Sequence, residues 1–420
     1  MCGTADDAAH RRRPDRTLAR IRVGQNRISN ALRENRFFAP ACLMFSYPFR
    51  PPQRPLWRCA AALAALLWLS GCADLGYYWQ SIGGHLKLLN AARPVPDWLA
   101  DPAASQALKD RLELAQRIRA YAVSELHLPD NASYHRYARI ERRAVVWNVV
   151  AAPPDSLVLK TWCFPIAGCV SYRGYYDQAD ARSLAADLKA HGEEVAVQGV
   201  PAYSTLGWSN WLGGDPLVST FIYYPEGELA RLIFHELAHQ ELYAKNDTMF
   251  NESFATAVER LGAERWLAER ASPAAQAEYE TFDARRRAFR DLVLASRRVL
   301  ERIYKEKREN ALVQRSWTAM KKEAMDDFRA NYAKLRAKWL AEPGAEARQF
   351  VGYDAWVADA NNARFGAMAA YDQLVPGFEA LFEREGRSFE RFYAAARRLS
   401  ELPKAERDQQ LMTTTKAAGG

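Results

Sequence analysis

Two histidines and a glutamate share one short stretch of the chain, His235-Glu236-Leu237-Ala238-His239. On a helix, residues four apart lie on the same face, so both imidazoles can bind one metal ion. Glu236 lies about 100° round the helix from His235, where its carboxylate can hold and deprotonate an attacking water. The alternative is an amphipathic helix with two surface histidines, which the apolar residues around the motif disfavour.

A catalytic zinc site needs a third protein ligand and keeps one position open for water. The stretch Asn246-Asp247-Thr248 is typical of a turn in which the Asp or the Thr caps the next helix. That turn brings Glu252, in the first turn of the second helix, back over the two histidines. Glu259 lies on the same helix face and is a rival ligand, although we assign it instead a hydrogen bond to an imidazole.

These residues predict hydrolysis of a peptide bond with Zn²⁺ as the cofactor. His235, His239 and Glu252 are the expected ligands, and the ion would polarise the scissile carbonyl. Glu236 is the expected general base, which accepts a proton from the water and later passes one to the leaving amine.

The segments around the motif resemble known zinc peptidases. Phe234-His235-Glu236-Leu237-Ala238-His239-Gln240, with Asn251-Glu252-Ser253-Phe254-Ala255, is similar to the metallopeptidases whose third zinc ligand is Glu, including thermolysin and the aminopeptidase N group. This resemblance implies the same role for Glu252. From about Cys72 to about residue 400, the chain resembles a family of bacterial aminopeptidases, many of them predicted lipoproteins. The similar segments are Gly76-Tyr77-Tyr78-Trp79-Gln80, Cys163 to Cys169, Tyr172-Arg173-Gly174-Tyr175-Tyr176, Tyr203-Ser204-Thr205-Leu206-Gly207-Trp208 and Asn361-Asn362-Ala363-Arg364.

The resemblance implies an aminopeptidase with a zincin-like fold and a peptide substrate. The Gly-x-Met-Glu-Asn segment, by which the aminopeptidase N group recognises a free amino terminus, is absent from the sequence. A zinc endopeptidase, and a non-catalytic envelope lipoprotein that contains zinc, are therefore alternative interpretations.

A hydrogen-bond donor opposite the zinc would stabilise the oxyanion of the reaction. Tyr203, Tyr371 and Arg364 are the candidates, and Tyr203 ranks first because it lies between a strand and a Gly-Trp turn upstream of the motif. The alternative for each tyrosine is a half-buried core position. Asn361 and Arg364 are candidates for binding the substrate backbone, or for capping and bracing a helix.

Hydrophobic periodicity predicts an α+β fold in which a mixed sheet precedes the motif helix, the order expected of zinc peptidases. The predicted strands cover residues 144–150, 156–160, 194–200 and 217–224, and the predicted helices cover 103–126, 180–191 and 359–374. The motif helix is expected to run from Pro225 to about Lys245, and the helix after it to end near Gly262.

The sequence predicts three regions in the mature chain. A zinc metallopeptidase core covers residues 72–271, and a long helical hairpin, indicated by few turn signals, covers 272–345. A C-terminal helical region covers 346–420, and its polar tail is expected to be disordered.

The N-terminal part of the sequence resembles an export signal. Basic residues precede an apolar run from Cys59 to Leu69, and Leu69-Ser70-Gly71-Cys72 follows. This ending resembles a bacterial lipoprotein signal, in which Cys72 is acylated; a buried core helix is the alternative. By the same resemblance, Ala73 indicates attachment at the periplasmic face of the outer membrane.

Residues 44–71 form a signal peptide of ordinary size if the protein starts at Met44, which makes residues 1–43 an over-extended gene start, expected to be disordered. An Arg-rich arm that binds nucleic acid is the alternative. Residues 1–71 hold 12 basic and 4 acidic residues, a net charge equal to the +8 of the whole chain. The mature chain is therefore neutral and has no electrostatic reason to bind nucleic acid. Its expected partners are a peptide substrate and, through the lipid anchor, the membrane.

Two cysteines, Cys163 and Cys169, follow Cys72 in the sequence. In an oxidising periplasm, a pair that closes a short loop favours a disulfide. A second metal site is the alternative, but two cysteines without a nearby histidine supply only half of its ligands.

Overall fold

Helices make up most of the chain that the computed structural model describes, which comprises residues 76–164, 168–202, 204–205, 212–310 and 314–418. Small sheets accompany the helices, which confirms the α+β class. The segments 1–43 and 44–71 and the cysteine at 72 lie outside these residues. Among the described helices, none has an apolar stretch long enough to cross a membrane.

The elements are numbered in chain order. The helices are α1 (residues 76–91), α2 (Val95–Ala100), α3 (Gln106–Ser124), α4 (Gln178–Ala190), α5 (Glu226–Glu241), α6 (Thr248–Arg270), α7 (Pro273–Asn310), α8 (Gln314–Leu340), α9 (Val351–Ala358), α10 (Asn362–Asp372), α11 (Val375–Arg384), α12 (Phe389–Ser400) and α13 (Lys404–Ala418), with a 3₁₀ turn at Ala347–Phe350. The strands are β1 (Ala92–Pro94), β2 (Arg136–Ala138), β3 (Val146–Ala152), β4 (Trp162–Phe164), β5 (Gly168–Val170), β6 (Arg173–Tyr175), β7 (Glu194–Val200) and β8 (Leu217–Val218).

A mixed sheet precedes the motif helix, as expected, but of the predicted strands it contains only β8, because the described strands form three small sheets. One has the order β1-β2-β8, with β2 and β8 parallel, and it leads into α5. A second, antiparallel sheet has the order β6-β3-β7, and β4 pairs with β5 in a third. Alternating patterns identify strands but not their partners, which depend on long-range packing.

The second sheet lies between two helices. Val149, Ala151 and Val195 on one face of β3 and β7 pack in a cluster with residues of α4. The other face packs against Ala363 and Ala367 of α10. Successive strand residues point to opposite faces, so the second half of β3, residues 149–152, is apolar throughout because both faces are covered.

The two helices of the motif region lie at the centre of the largest hydrophobic core. Ile233, Phe234, Leu237 and Ala238 of α5 are fully buried there, together with residues of α3, α6, α11 and α12. This burial confirms that the motif is part of the core rather than of a solvated surface helix.

The predicted hairpin corresponds to α7 and α8. The rings of Phe289 and Tyr332 are 5.9 Å apart, and those of Tyr304 and Trp317 are 6.3 Å apart, so the two helices are antiparallel. These residues belong to a second hydrophobic core that includes α9 and α10. The hairpin is therefore packed against the rest of the protein on one side.

Two predicted strands differ in the structure. Residues 156–160 form no strand, because the hydroxyl of Ser156 accepts a hydrogen bond from the Val158 amide and turns the backbone locally. The strand expected at 217–224 ends at Val218, after which Phe221 and Tyr224 close successive turns. At both places, local hydrogen bonds determine the backbone conformation, although the apolar pattern predicts a strand.

Helix ends also differ from prediction. α5 ends at Glu241, before Lys245, whereas α6 continues past Gly262 to Arg270. Gly262 lies inside α6 because a β-carbon there would collide with Leu126, so the glycine permits close packing rather than ending the helix. Within the tail expected to be disordered, residues 413–418 belong to α13, and the last two residues lie outside the described part of the chain.

Candidate metal centre

The motif histidines lie on α5, and the predicted turn connects α5 to α6. Asp247 caps α6 by accepting a hydrogen bond from the Phe250 amide, as predicted. The side chain of Asn251 accepts a hydrogen bond from the Ala244 amide at 2.7 Å and donates one to the Ala244 carbonyl at 2.8 Å. These bonds hold the start of α6 against the end of α5, and they fix the position of the next residue, Glu252.

His235, His239 and Glu252 converge on one point. The Nε2 atoms of the two histidines are 3.1 Å apart, and the Glu252 Oε2 atom lies 3.4 Å from His235 Nε2 and 3.6 Å from His239 Nε2. Their side chains are 14%, 10% and 9% exposed. The group could bind a metal ion, because each residue offers one ligand atom and all lie within 4.8 Å of one another.

Glu259 takes the place that the sequence assigned to it. Its Oε2 atom lies 2.9 Å from His235 Nδ1, and its Oε1 atom accepts a hydrogen bond from the buried guanidinium of Arg231. The carboxylate thus holds the ring nitrogen that faces away from the cluster. Such a partner orients an imidazole and makes it a stronger ligand.

Burial and charge shift the acid-base properties of the cluster in the ion-free chain. Burial disfavours the charged form of His235, but the carboxylates of Glu252 and Glu259 outweigh it and raise the pKa of the imidazole. The pKa of Glu252 falls to about 2, because the two histidines outweigh the effect of burial. Burial raises the pKa of Glu236, and the nearby histidines only partly offset it. A carboxylate with a raised pKa is suited to accept and release protons.

The predicted disulfide between Cys163 and Cys169 is confirmed, and it lies in the β4-β5 hairpin. The Cys169 amide donates a hydrogen bond to the Asn246 side chain, and the Ser171 amide donates one to the Thr248 hydroxyl. The hairpin is therefore bound to the turn that orders the metal cluster.

Two tyrosines near the cluster were not predicted. Tyr172 follows β5, and burial, then the charge of Glu252, raises the pKa of its hydroxyl. The hydroxyl of Tyr134 is buried with no hydrogen-bond partner among the described residues, and the charge of Glu236 adds to the effect of burial on its pKa. Tyr172 belongs to one of the segments that resemble the aminopeptidase family, and this resemblance is the sequence feature that could have identified it.

The remaining predicted residues lie elsewhere or outside the described part. Asn361 caps α10 by accepting from the Arg364 amide, and its side-chain amide donates to the Val195 carbonyl. Arg364 pairs with Asp359 at 3.3 Å. These are the contacts of a helix cap, and a role in substrate binding stays a prediction. Tyr203 and the side chain of Tyr371 lie outside the described residues.

A cleft of about 600 Å³ opens beside the cluster. His235 and Glu236 of α5 and Glu259 of α6 line one side of it, whereas α7, α9 and α10 supply the other. Its volume lies within the range typical of small-ligand sites, about 300–1,000 Å³. The arrangement thus places a general-base candidate at the wall of a cleft that can hold a small substrate.

Comparison with known proteins identifies one family. A family model described as "Putative aminopeptidase" matches residues 76–411, most of the chain. A universal stress protein in the QAH/OAS sulfhydrylase 3′ region of Thermus aquaticus is 42% identical over 82 residues, which are 20% of this chain and 59% of that protein. The chain thus spans less than two thirds of the length of that relative. No solved structure matches the chain.

Proposed function

The chain belongs to the family described as "Putative aminopeptidase", and from that premise we propose that it hydrolyses peptide bonds as a zinc-dependent aminopeptidase. The observation that carries the proposal is the convergence of His235, His239 and Glu252, with Glu236 beside them on the cleft wall. A purely structural zinc site would have no use for a general base at that position.

The donor set fits zinc. Two imidazole nitrogens and one carboxylate oxygen are the ligands of many catalytic zinc sites. Bonds of 2.0–2.1 Å in a tetrahedron put two ligand atoms roughly 3.3 Å apart, and the three separations here are 3.1, 3.4 and 3.6 Å. Three protein ligands leave one position of the tetrahedron open.

In the proposed hydrolysis, each of these residues has a separate role. When bound, zinc supplies a Lewis acid that polarises the scissile carbonyl and lowers the pKa of a water. The Glu236 carboxylate accepts a proton from the attacking water and then delivers a proton to the leaving amine. Glu259 holds His235 through Nδ1. Tyr172 and Tyr203 are the candidates for donating a hydrogen bond to the oxyanion.

Metal content and hydrolysis together test the proposal. We expect the purified protein to hold one zinc ion per chain and to lose activity with a chelator. Glu236→Gln should retain the zinc and reduce kcat by about 10²–10⁴-fold, because it removes the general base. Glu241→Gln, on the same helix but paired with Arg397, is the matched control. Unchanged hydrolysis in zinc-loaded Glu236→Gln would exclude this mechanism.

A blocked peptide distinguishes the two kinds of peptidase. An aminopeptidase cleaves a peptide with a free α-amine and leaves its N-acetylated form intact. Equal cleavage of both forms would instead identify an endopeptidase.

We further propose that the protein is exported and acylated at Cys72, which attaches it to the outer membrane and leaves the metal centre in the periplasm. The support is the basic, apolar and Leu-Ser-Gly-Cys order of residues 54–72. Metabolic labelling with a radioactive fatty acid should mark the wild type and not Cys72→Ser. Outer-membrane fractionation of the unlabelled Cys72→Ser variant would contradict the anchor.

A further inference from the structure

The cleft beside the metal cluster carries an unusual set of charges. Four guanidinium groups line it, those of Arg231, Arg260, Arg286 and Arg290. The carboxylates that line it are those of Glu236, Glu259 and Asp372. Four carboxylates from outside the lining also pair with these arginines, those of Glu228, Asp283, Asp291 and Glu379. The feature that points to a ligand is therefore the hydrogen bonding of the guanidinium groups rather than their net charge.

Several guanidinium N–H groups in the cleft have no acceptor. The Nε and Nη1 atoms of Arg231 and the Nε atom of Arg286 are buried without a hydrogen-bond partner among the described residues. The side chain of Arg231 is only 9% exposed. A buried donor without an acceptor is costly, which favours a ligand that brings acceptor atoms.

Arg290 is the most loosely held of the four. Its nearest carboxylates, those of Asp372 and Asp291, lie 3.6 Å away, beyond hydrogen-bond distance. By comparison, Arg286 makes two hydrogen bonds to Glu228, at 2.7 and 2.9 Å, and Arg260 contacts Asp372 at 2.5 Å. The guanidinium of Arg290 therefore makes two long ion pairs but no hydrogen bond among the described residues, so its N–H groups can donate to an incoming carboxylate, a geometry that arginine suits well.

The position of Glu236 tells which part of a substrate enters the cleft. The general base delivers a proton to the leaving amine, so the leaving group lies next to it. His235 and Glu236 line the cleft, whereas His239 and Glu252 do not. The cleft therefore receives residues on the C-terminal side of the scissile bond, and Phe289, Tyr353 and Trp356 supply an aromatic wall for their side chains.

We propose that this cleft binds a carboxylate of the peptide on the C-terminal side of the scissile bond, with Arg290 as its main partner. This inference rests on the proposed peptidase function. The carboxylate is either the free C-terminus of a short peptide or the side chain of an Asp or Glu. The substrate class is thus a short peptide that carries a negative charge next to the bond that is cleaved.

Three dipeptides separate these sources: Ala-Phe, Ala-Phe amide and Ala-Glu amide. We expect kcat/KM for Ala-Phe to exceed that for Ala-Phe amide by at least about tenfold, as expected of a hydrogen bond between charged groups. High activity on Ala-Glu amide as well would mean that a side-chain carboxylate is also accepted, and low activity would assign the site to the C-terminus. Equal cleavage of all three would overturn the inference.

Variants of two neighbouring arginines identify the partner. Arg290→Gln should bring the ratio between Ala-Phe and Ala-Phe amide close to one, and Arg290→Lys should reduce it in part, because a lysine retains the charge without the planar fork. Arg287→Gln is the matched control, since Arg287 lies on the same helix, is 60% exposed and does not line this cleft. If folded Arg290→Gln keeps the wild-type ratio of kcat/KM between Ala-Phe and Ala-Phe amide, Arg290 is not the partner of the carboxylate.

Calorimetric binding to zinc-loaded Glu236→Gln gives a readout without turnover. Tighter binding of Ala-Phe than of its amide, with no hydrolysis by the wild type, would support the carboxylate site and contradict the peptidase function. Hydrolysis with equal binding of both would support the function and overturn the carboxylate site.

Discussion

The metal cluster and the arginine-lined cleft adjoin each other, but they are assembled from the chain in opposite ways. The cluster and its carboxylate partner come from residues 235–259, on two consecutive helices joined by a short turn. The cleft takes residues from 231 to 372, on five helices and the 3₁₀ turn. Consecutive helices position side chains through local hydrogen bonds, whereas the cleft depends on the packing of α7, α9 and α10.

The difference is also one of charge pairing. In the cluster, Glu259 links His235 to Arg231, and each carboxylate has a cationic or imidazole partner. In the cleft, every guanidinium has a carboxylate neighbour, but buried N–H groups of Arg231 and Arg286 have no hydrogen-bond acceptor among the described residues, and the ion pairs of Arg290 are 3.6 Å long. A hydrogen-bonded network is suited to hold a cation in place, whereas donors without acceptors are suited to receive a ligand that brings acceptor oxygens.

The largest expected effect is at the third ligand. Glu252→Gln replaces a carboxylate by a neutral amide between two imidazoles, and we expect zinc affinity to fall by more than the about 10–100-fold typical of losing an outer partner. Zinc content after dialysis measures it. Zinc retained at wild-type affinity would show that another residue is the ligand, and Glu259→Gln would then be the variant that loses the metal.

The next effect tests whether the cluster depends on Arg231 and Glu259. Glu259→Gln should weaken zinc binding by about 10–100-fold, because His235 loses its orienting carboxylate. It should also lower the free energy of unfolding by about 3–5 kcal/mol, since the guanidinium of Arg231 is left buried without its partner. Zinc titration and chemical denaturation measure the two effects. Glu264→Gln, exposed on the same helix, is the control and should change neither.

A change of pH is expected to have a smaller effect on zinc affinity. In the ion-free chain the pKa of His235 is raised, so the imidazole still carries a proton near neutrality that zinc must displace. Zinc affinity should therefore rise by up to about tenfold per pH unit from pH 6.5 through neutral pH, and level off above the raised pKa. The pKa of Glu252, about 2, keeps that carboxylate ionised throughout. An affinity independent of pH between 6.5 and 7.5 would contradict the shift.

The smallest expected effect is a change in substrate binding at the cleft that leaves the metal cluster unaffected. Gly352 lines the cleft, and a β-carbon added there meets no atom within 4 Å. Gly352→Leu should raise KM for peptides by about tenfold, equivalent to about 1.4 kcal/mol of binding, and leave zinc affinity unchanged. Gly83→Leu, at an equally open position on α1, is the control. An unchanged KM in Gly352→Leu would mean that the substrate does not occupy this part of the cleft.

The metal cluster was predictable because helical geometry converts sequence spacing directly into distance. The spacing of four from His235 to His239 makes about one helical turn, and a turn signal at Asp247 brings Glu252 back. The disulfide between Cys163 and Cys169 was predictable for the same reason, since few residues separate them. The strand at 194–200 was predicted at both ends, because alternation and flanking turn residues agree there.

Other features of the fold and the site could not be predicted from sequence spacing. Gly262 is of the residue type that commonly ends a helix, but it lies within α6, where Leu126, from the turn that follows α3, packs against it. Asn361 could equally cap a helix or bind a substrate, and only the neighbouring Val195 carbonyl assigns its amide to the brace between α10 and the sheet. In both cases the deciding contact is with a residue more than 100 positions away.

The sequence by itself determined which residues form the candidate metal cluster, where Glu236 lies beside it and the turn that joins the two helices, because these depend on hydrogen bonds and periodicity within about 25 residues. Only the tertiary structure decided how the strands pair, which of the two imidazoles Glu259 contacts, and which arginines line the cleft. Those features depend on side chains that approach across the core, where burial and the balance of charges, rather than spacing, select the neighbours.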